Sequence, residues 1–204
     1  QFETEWPCEY HFIGKDILRF HAVYWPAMLL SANLPLPKKL FVHGFILSDS
    51  GTKMGKSSGN TLDPFALLEK FGIDKFRYYL LRGIPTDEDG YISEELISNT
   101  TNIDLANDYG NLISRIFNLT LKNFPEGLNS GSGYTQEQLT ETTSIVETGT
   151  RNYQENMNNV LIHKAIESIF SLVGHANKYI NTKEPWKLKD ESQKEELKRV
   201  LYLS

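Results

Sequence analysis

Apolar and polar positions follow two different rhythms along this chain, and the change falls near residue 93. Before it, short apolar runs alternate with helical spacing. "YHFIG" (10–14) reads as a short strand ending in glycine. In "KDILRFHAVYWPAMLLSAN" (15–33), Ile17, Phe20, His21, Tyr24 and Met28 recur at steps of three and four and so share one helical face. Pro26 is expected to kink or shorten that helix. "LFVHGFIL" (40–47) is a continuous apolar run between turn signals, which predicts one buried strand. Asp63 and Pro64 have the chemistry of an N-cap and a first helical residue, opening a helix that stops at Gly72. Asp74 is read as the cap of "KFRYYLLR", which stops at Gly83, and "IPTDEDGY" (84–91) as a polar turn.

After residue 93 the rhythm is helical throughout. Leu96, Ile97, Leu105, Tyr109, Leu112, Ile113, Ile116 and Leu119 keep the period, with Gly110 a weak point. "PEGLNSGSGYT" (125–135) is a loop rich in Gly and Ser. Helices are expected at about 136–157, 159–181 and 191–203, with a turn at "NTKEPW". The predicted fold class is α/β followed by an all-α antiparallel bundle.

Composition adds bounds. The chain of 204 residues is 40% hydrophobic and 23% charged, as in folded soluble domains. No run of eighteen apolar residues suggests a membrane span. The start, "QFETEWPCEY", is acidic and aromatic, unlike a signal or transit peptide, and has no initiator Met, so a longer parent chain is expected. A single cysteine, Cys8, leaves no internal disulfide or Cys-rich zinc site within this piece, which fits a reducing compartment. The net charge of −5 gives no general argument for nucleic-acid binding; such a role must rest on particular residues.

Three groups could carry chemistry. The first is "SDSGTKMGKSSGNTLDP" (48–64), where Lys53 and Lys56 sit among Gly51, Gly55 and Gly59. Two lysines on a bendable loop suit a polyphosphate, because they can meet negative charge as it builds on leaving phosphates. The same composition also suits a solvated surface loop. It is not a P-loop, whose spacing is absent. The second group is the strand-to-helix junction at Gly14, with Asp16, Ile17 and His21. Asp16 could accept hydrogen bonds from a ribose, and Ile17 and His21, four apart, could form one wall of a small apolar pocket. A dipole-compensating Asp and a core His remain alternatives. The third group lies in the bundle: Asn107, Asn111 and Arg115 at steps of four, and Trp186 after Pro185. Amides, a guanidinium and an exposed indole can read and stack unpaired bases. A polar stripe crossing to a neighbouring helix, and an ordinary turn anchor, are the alternatives.

"HFIGKDILRFHAVYWPAMLL", "LFVHGF", "KMGKSSGNTLDPF", "RYYLLR", "LANDYGNLISR" and "KEPW" stand in the order found in methionyl-tRNA synthetases of the bacterial and organellar type. The chain resembles part of such an enzyme over nearly all its length, most strongly over 6–117. The resemblance implies the second half of a Rossmann-like class I catalytic domain (1–60), a stem-contact region (61–92) and an anticodon-binding bundle (93–204) that stops early. It implies that ATP with Mg²⁺ and L-methionine form methionyl-adenylate, and that the aminoacyl group passes to tRNA(Met). Lys53, Met54, Gly55, Lys56 and Ser57 match the KMSKS loop for the triphosphate, with Lys53 and Lys56 catalytic. Gly14 and Asp16 match the segment beside the ribose, and Ile17 and His21 part of the methionine pocket. Asn107, Asn111, Arg115 and Trp186 match the anticodon-reading set.

Two departures stand out. Gly55 replaces the commonest Ser of the loop motif, removing one hydroxyl. No H-x-G-H occurs, so an upstream half of the chain is expected to carry it, along with any zinc-binding insertion. This piece alone is expected to be inactive. The expected location is the bacterial cytoplasm or an organelle matrix or stroma; the oligomeric state is open.

Overall fold

The computed structural model describes residues 6–54, 61–128 and 135–204. Strand β1 (Tyr10–Gly14) pairs in parallel with β2 (Lys39–His43), from Tyr10 opposite Lys39 to Gly14 opposite His43. The crossover between them is not the single helix expected. It is a 3₁₀ turn at Lys15–Ile17, a π-helical segment at Phe20–Tyr24, then α1 (Trp25–Ser31). Pro26 explains the break. It has no N–H to give, and its ring crowds the preceding turn, so the chain widens just upstream, where Trp25 N–H bonds the carbonyl of Phe20.

The apolar run 40–47 is two strands rather than one. β2 ends at His43, and β3 (Ile46–Ser48) pairs in parallel with β4 (Gly90–Ile92). Gly44 makes the break. A Cβ there would lie 2.0 Å from the main-chain oxygen of Glu88, so the 84–89 turn presses directly onto the glycine backbone. Strand β4 begins within the last two residues of the segment read from sequence as a polar turn. Only Ile92 in it is a strongly apolar inward residue, and its pairing partner is over forty residues away, so local pattern could not reveal it.

Helices α2 (Pro64–Phe71) and α3 (Ile73–Arg82) link β3 to β4. Asp63 caps α2 by accepting from Phe65 N–H at 2.9 Å, and Gly72 (φ 77°) ends it. Asp74 is not a cap: Gly72 takes that position for α3, and Asp74 falls in the first turn, where its charge suits the helix dipole. The core here joins Leu67, Phe76, Tyr79, Ile84, Ile92 and Ile97. Each such side chain contributes about 1.5–3 kcal/mol on full burial.

The second part begins at Ser93, whose hydroxyl accepts from Leu96 N–H and caps α4 (Glu94–Thr101). A π-helical segment (Asn102–Gly110) leads into α5 (Asn111–Asn123). Next come α6 (Gln136–Asn158), opened by a Thr135/Gln138 capping box, and α7 (Ile162–Lys183). Helix α7 starts later and runs further than expected, because Val160 (φ 60°) turns the chain and only Glu184 (φ 45°) stops it. Helix α8 (Lys194–Leu203) closes the bundle with buried Leu197, Val200 and Leu201; Ala165 and Ile180 of α7 are buried too.

Polar contacts tie the two parts together. Tyr78 OH donates to Asp104 Oδ2 at 2.7 Å, and Arg82 lies 3.2 Å from the same oxygen. Burial and that carboxylate together push the Tyr78 hydroxyl far above its ordinary range. His163, in the first turn of α7, accepts at Nδ1 from the Thr86 N–H at 3.1 Å and lies 2.9 Å from its hydroxyl.

Candidate active site and nucleic-acid interface

Parallel strands place their carboxyl ends on one side, where open α/β sheets hold ligands. Gly14 ends β1 there, and the next two residues carry charge. Gly14 allows close approach: a Cβ on it would lie 2.7 Å from Asp16 Oδ1. Lys15 Nζ bonds both oxygens of Asp89 at 2.6 Å. That bond, helped by the N–H of Phe45, holds the Asp89 carboxyl below the usual carboxylate range. A cleft of about 400 Å³ opens at this point, bounded by Lys15, His43 and the 87–89 turn.

Lys53 reaches the same place. After β3 the chain makes a tight turn, with Gly51 N–H bonded to the Ser48 carbonyl and Ser48 N–H to that of Thr52. Gly51 takes φ 76° to allow it. Ser48, Ser50 and Thr52 hydroxyls cluster within 2.8–3.0 Å of one another. The turn carries Lys53 back beside Leu47. Its Nζ lies 3.9 Å from Asp16 Oδ2 and 4.0 Å from the centre of the Phe45 ring. Met54 packs on the Leu67–Ile97 core and anchors the departure of the chain. Gly55, Lys56 and Ser57 lie outside the described residues.

Gly14, Asp16 and Lys53 are therefore brought to one end of the strands, and Met54 turns to the core. His21 Nδ1 bonds the main-chain carbonyl of Ile17 at 3.0 Å, and the imidazole sits edge-on to Trp25. Ile17 is 40% exposed, and Phe20, Tyr24 and Met28 are exposed too.

The bundle residues divide. Arg115 donates to Asn181 Oδ1 at 2.8 Å and to Asn177 Oδ1, both on α7, and its Nε points to the Asn111 carbonyl. Asn177 in turn donates to the Asp108 carbonyl. Asn111 and Arg115 share helix α5. Asn107 does not continue an even ladder with them, because it lies in the π-helical segment, whose turns hold about one residue more. Trp186 sits on the turn Pro185–Lys187, with Pro185 buried and the indole 40% exposed.

Sequence reasoning passed over Asp89, Phe45, Asn177 and Asn181. Asn177 and Asn181 stand four apart and so share one helix face, a signal that was present among the other polar residues of α7. Asp89 and Phe45 gave none, since their roles depend on the Gly44 contact. Among the described residues, no cluster of His, Cys, Asp and Glu could hold a metal ion, and no helix is long and apolar enough to cross a membrane.

The fold, from the parallel strand pairs to the helical bundle, is shared with known proteins. A family model described as tRNA synthetases class I (M) matches residues 1–117, and the chain belongs to that family. The chain is 41% identical over 202 residues to the methionine–tRNA ligase of Bacillus subtilis (strain 168), covering 98% of this chain and 30% of the relative. It is 44% identical over 187 residues to that of Brucella suis biovar 1, covering 90% and 35%. The Mycobacterium tuberculosis methionyl-tRNA synthetase, solved in complex with methionyl-adenylate, superimposes with a TM-score of 0.87 at 38% identity, over 99% of this chain and 40% of that one. The chain thus spans about a third of the length of the curated relatives it matches.

Proposed function

We propose that the protein to which this chain belongs is a methionine–tRNA ligase, and that this chain supplies the nucleotide-holding end of its catalytic domain and its anticodon-binding bundle. In the reaction, the methionine carboxylate attacks the α-phosphate of ATP, pyrophosphate leaves, and the aminoacyl group passes to tRNA(Met). The observation that carries the reading is the convergence of Gly14, Asp16 and Lys53 at the carboxyl ends of parallel strands. Asp16 accepts from the ribose hydroxyls, and Gly14 leaves the room. Lys53 and Lys56 neutralise the charge that grows on the leaving pyrophosphate, a preorganised effect worth several kcal/mol. Mg²⁺ enters with the triphosphate of ATP as part of the substrate. Ile17 and His21 form one side of the methionine pocket, and its other sides belong to a part of the protein outside this sequence.

Residues 1–60 serve catalysis, 61–92 connect, and 93–204 read the tRNA, with Asn111, Arg115 and Trp186 as the base-contacting group and Asn107 beside it. Exposed Trp186 beside Lys183 and Lys187 supports the last assignment. The location proposed is the cytoplasm of a bacterium or the interior of an organelle. The test is methionine-dependent ATP–pyrophosphate exchange by the full-length protein. Lys56→Ala should nearly abolish it; an unchanged rate would remove the catalytic assignment, and exchange driven by a different amino acid would remove the methionine reading.

A further inference from the structure

We infer that Phe45 is a positioning residue for the two lysines at the strand ends; this rests on the functional reading above. Phe45 lies between β2 and β3, and both polar groups of its main chain are held. Its N–H donates to Asp89 Oδ1 at 2.8 Å, and its carbonyl accepts from Gly90 N–H at 2.9 Å. The backbone that carries the half-buried ring is therefore held at both polar groups. Lys53 Nζ lies 4.0 Å from its centre and Lys15 Nζ 4.6 Å. An aromatic face carries negative charge density and attracts an ammonium within about 6 Å.

Two ammonium groups sharing one ring repel each other, and the surroundings answer that repulsion. Lys15 is bonded to Asp89, and Lys53 lies near Asp16. The ring contributes a neutral surface that both cations share, beside the close Lys15–Asp89 pair and the longer Lys53–Asp16 contact. A lysine on a glycine-rich loop has much rotamer freedom. Charge stabilisation of a leaving pyrophosphate is most effective when the cation is already at hand. Phe45 confines Lys53 to the mouth of the nucleotide site and so lowers the reorganisation needed in the chemical step. It touches no reacting atom and acts through Lys53.

The test uses the full-length enzyme. Phe45→Leu keeps apolar bulk and removes the π face; Phe45→Tyr keeps both. The kcat of methionine-dependent ATP–pyrophosphate exchange should fall roughly three- to tenfold in the Leu variant and stay within about twofold of the parent in the Tyr variant. The KM for methionine should not move. In carbon–proton spectra, the ε-methylene protons of Lys53 should be shifted upfield by the ring in the parent and return to the ordinary lysine position in the Leu variant. Parental kcat in Phe45→Leu would overturn the proposal. So would equal loss in both variants with lowered unfolding midpoints, which marks a packing role, or an unshifted Lys53 in the parent. A parent enzyme with no methionine-dependent exchange would instead sink the functional reading, and the spectra alone would then decide the contact.

Discussion

Lys15 Nζ lies 2.6 Å from both carboxylate oxygens of Asp89, a residue 74 positions further along the chain. The pair ties the start of the β1–β2 crossover to the turn before β4. In the full-length enzyme, Asp89→Asn should slow ATP–pyrophosphate exchange about ten- to a hundredfold, because misplacing a group at a reacting centre by about 1 Å costs that much. Its carboxyl titrates low, so the pair contributes stability above the ordinary aspartate value of about 3.9 and loses it as pH falls through the lower folded value. Carbon NMR titration of Asp89 should show a midpoint that rises in Lys15→Met.

Two glycines should respond in opposite directions to alanine. At Gly44 a Cβ would meet the Glu88 carbonyl at 2.0 Å, a main-chain contact that cannot swing away. Gly44→Ala should cost about 3 kcal/mol or more and weaken the Phe45–Asp89 and Gly90–Phe45 bonds. Gly174, inside α7, has nothing within 4 Å, and Gly174→Ala should stabilise by about 0.5–1 kcal/mol through helix propensity. Urea unfolding of both variants checks the contrast.

His163→Ala should loosen the bundle from the 84–89 turn. It strips the Thr86 N–H of its acceptor and removes the neighbour of its hydroxyl, in a site where the His163 side chain is only 14% exposed. An orphaned donor of this kind costs about 1–3 kcal/mol. Faster amide exchange at Thr86 than at the α7 centre is the expected signature.

Tyr79 gives a pH signature at the alkaline end. Its hydroxyl donates to the Tyr91 carbonyl at 2.7 Å, and burial pushes its pKa up to about 12. The unfolded chain ionises near pH 10, so the stabilisation is complete below that and is lost as pH climbs through about 12. Tyr79→Phe should lose less stability than the parent over that window in chemical denaturation.

Arg115 and Trp186 separate tRNA reading from folding. Trp186→Ala should weaken tRNA charging by roughly 1–3 kcal/mol through affinity, while ATP–pyrophosphate exchange is spared. Arg115→Ala also loses its bonds to Asn177 and Asn181, so it should lower the unfolding midpoint as well. Equal loss by Trp186→Ala in both assays would assign the indole to folding.

Local chemistry was legible in the sequence. The Asp63–Pro64 helix start, the stop at Gly72 and the α6 boundaries all depend on neighbouring residues, and the structure has them where the pattern put them. What escaped was set by distant contacts. The division of 40–47 and the existence of β4 follow from the 84–89 turn lying against Gly44. The same contact creates the Asp89 and Phe45 contributions to the candidate site. The sequence predicts a kink or a shortened helix at Pro26 and a weak point at Gly110, but period alone does not separate these from a π-helical turn.

Helix α7 is also a ruler. Its 22 residues span about 33 Å, with His163 seated on Thr86 at one end and Trp186 just past the other. Inserting a single residue midway would advance Trp186 by about 1.5 Å and swing it about 100° around the axis. The number of residues between His163 and Trp186 is therefore a dimension of the protein in its own right.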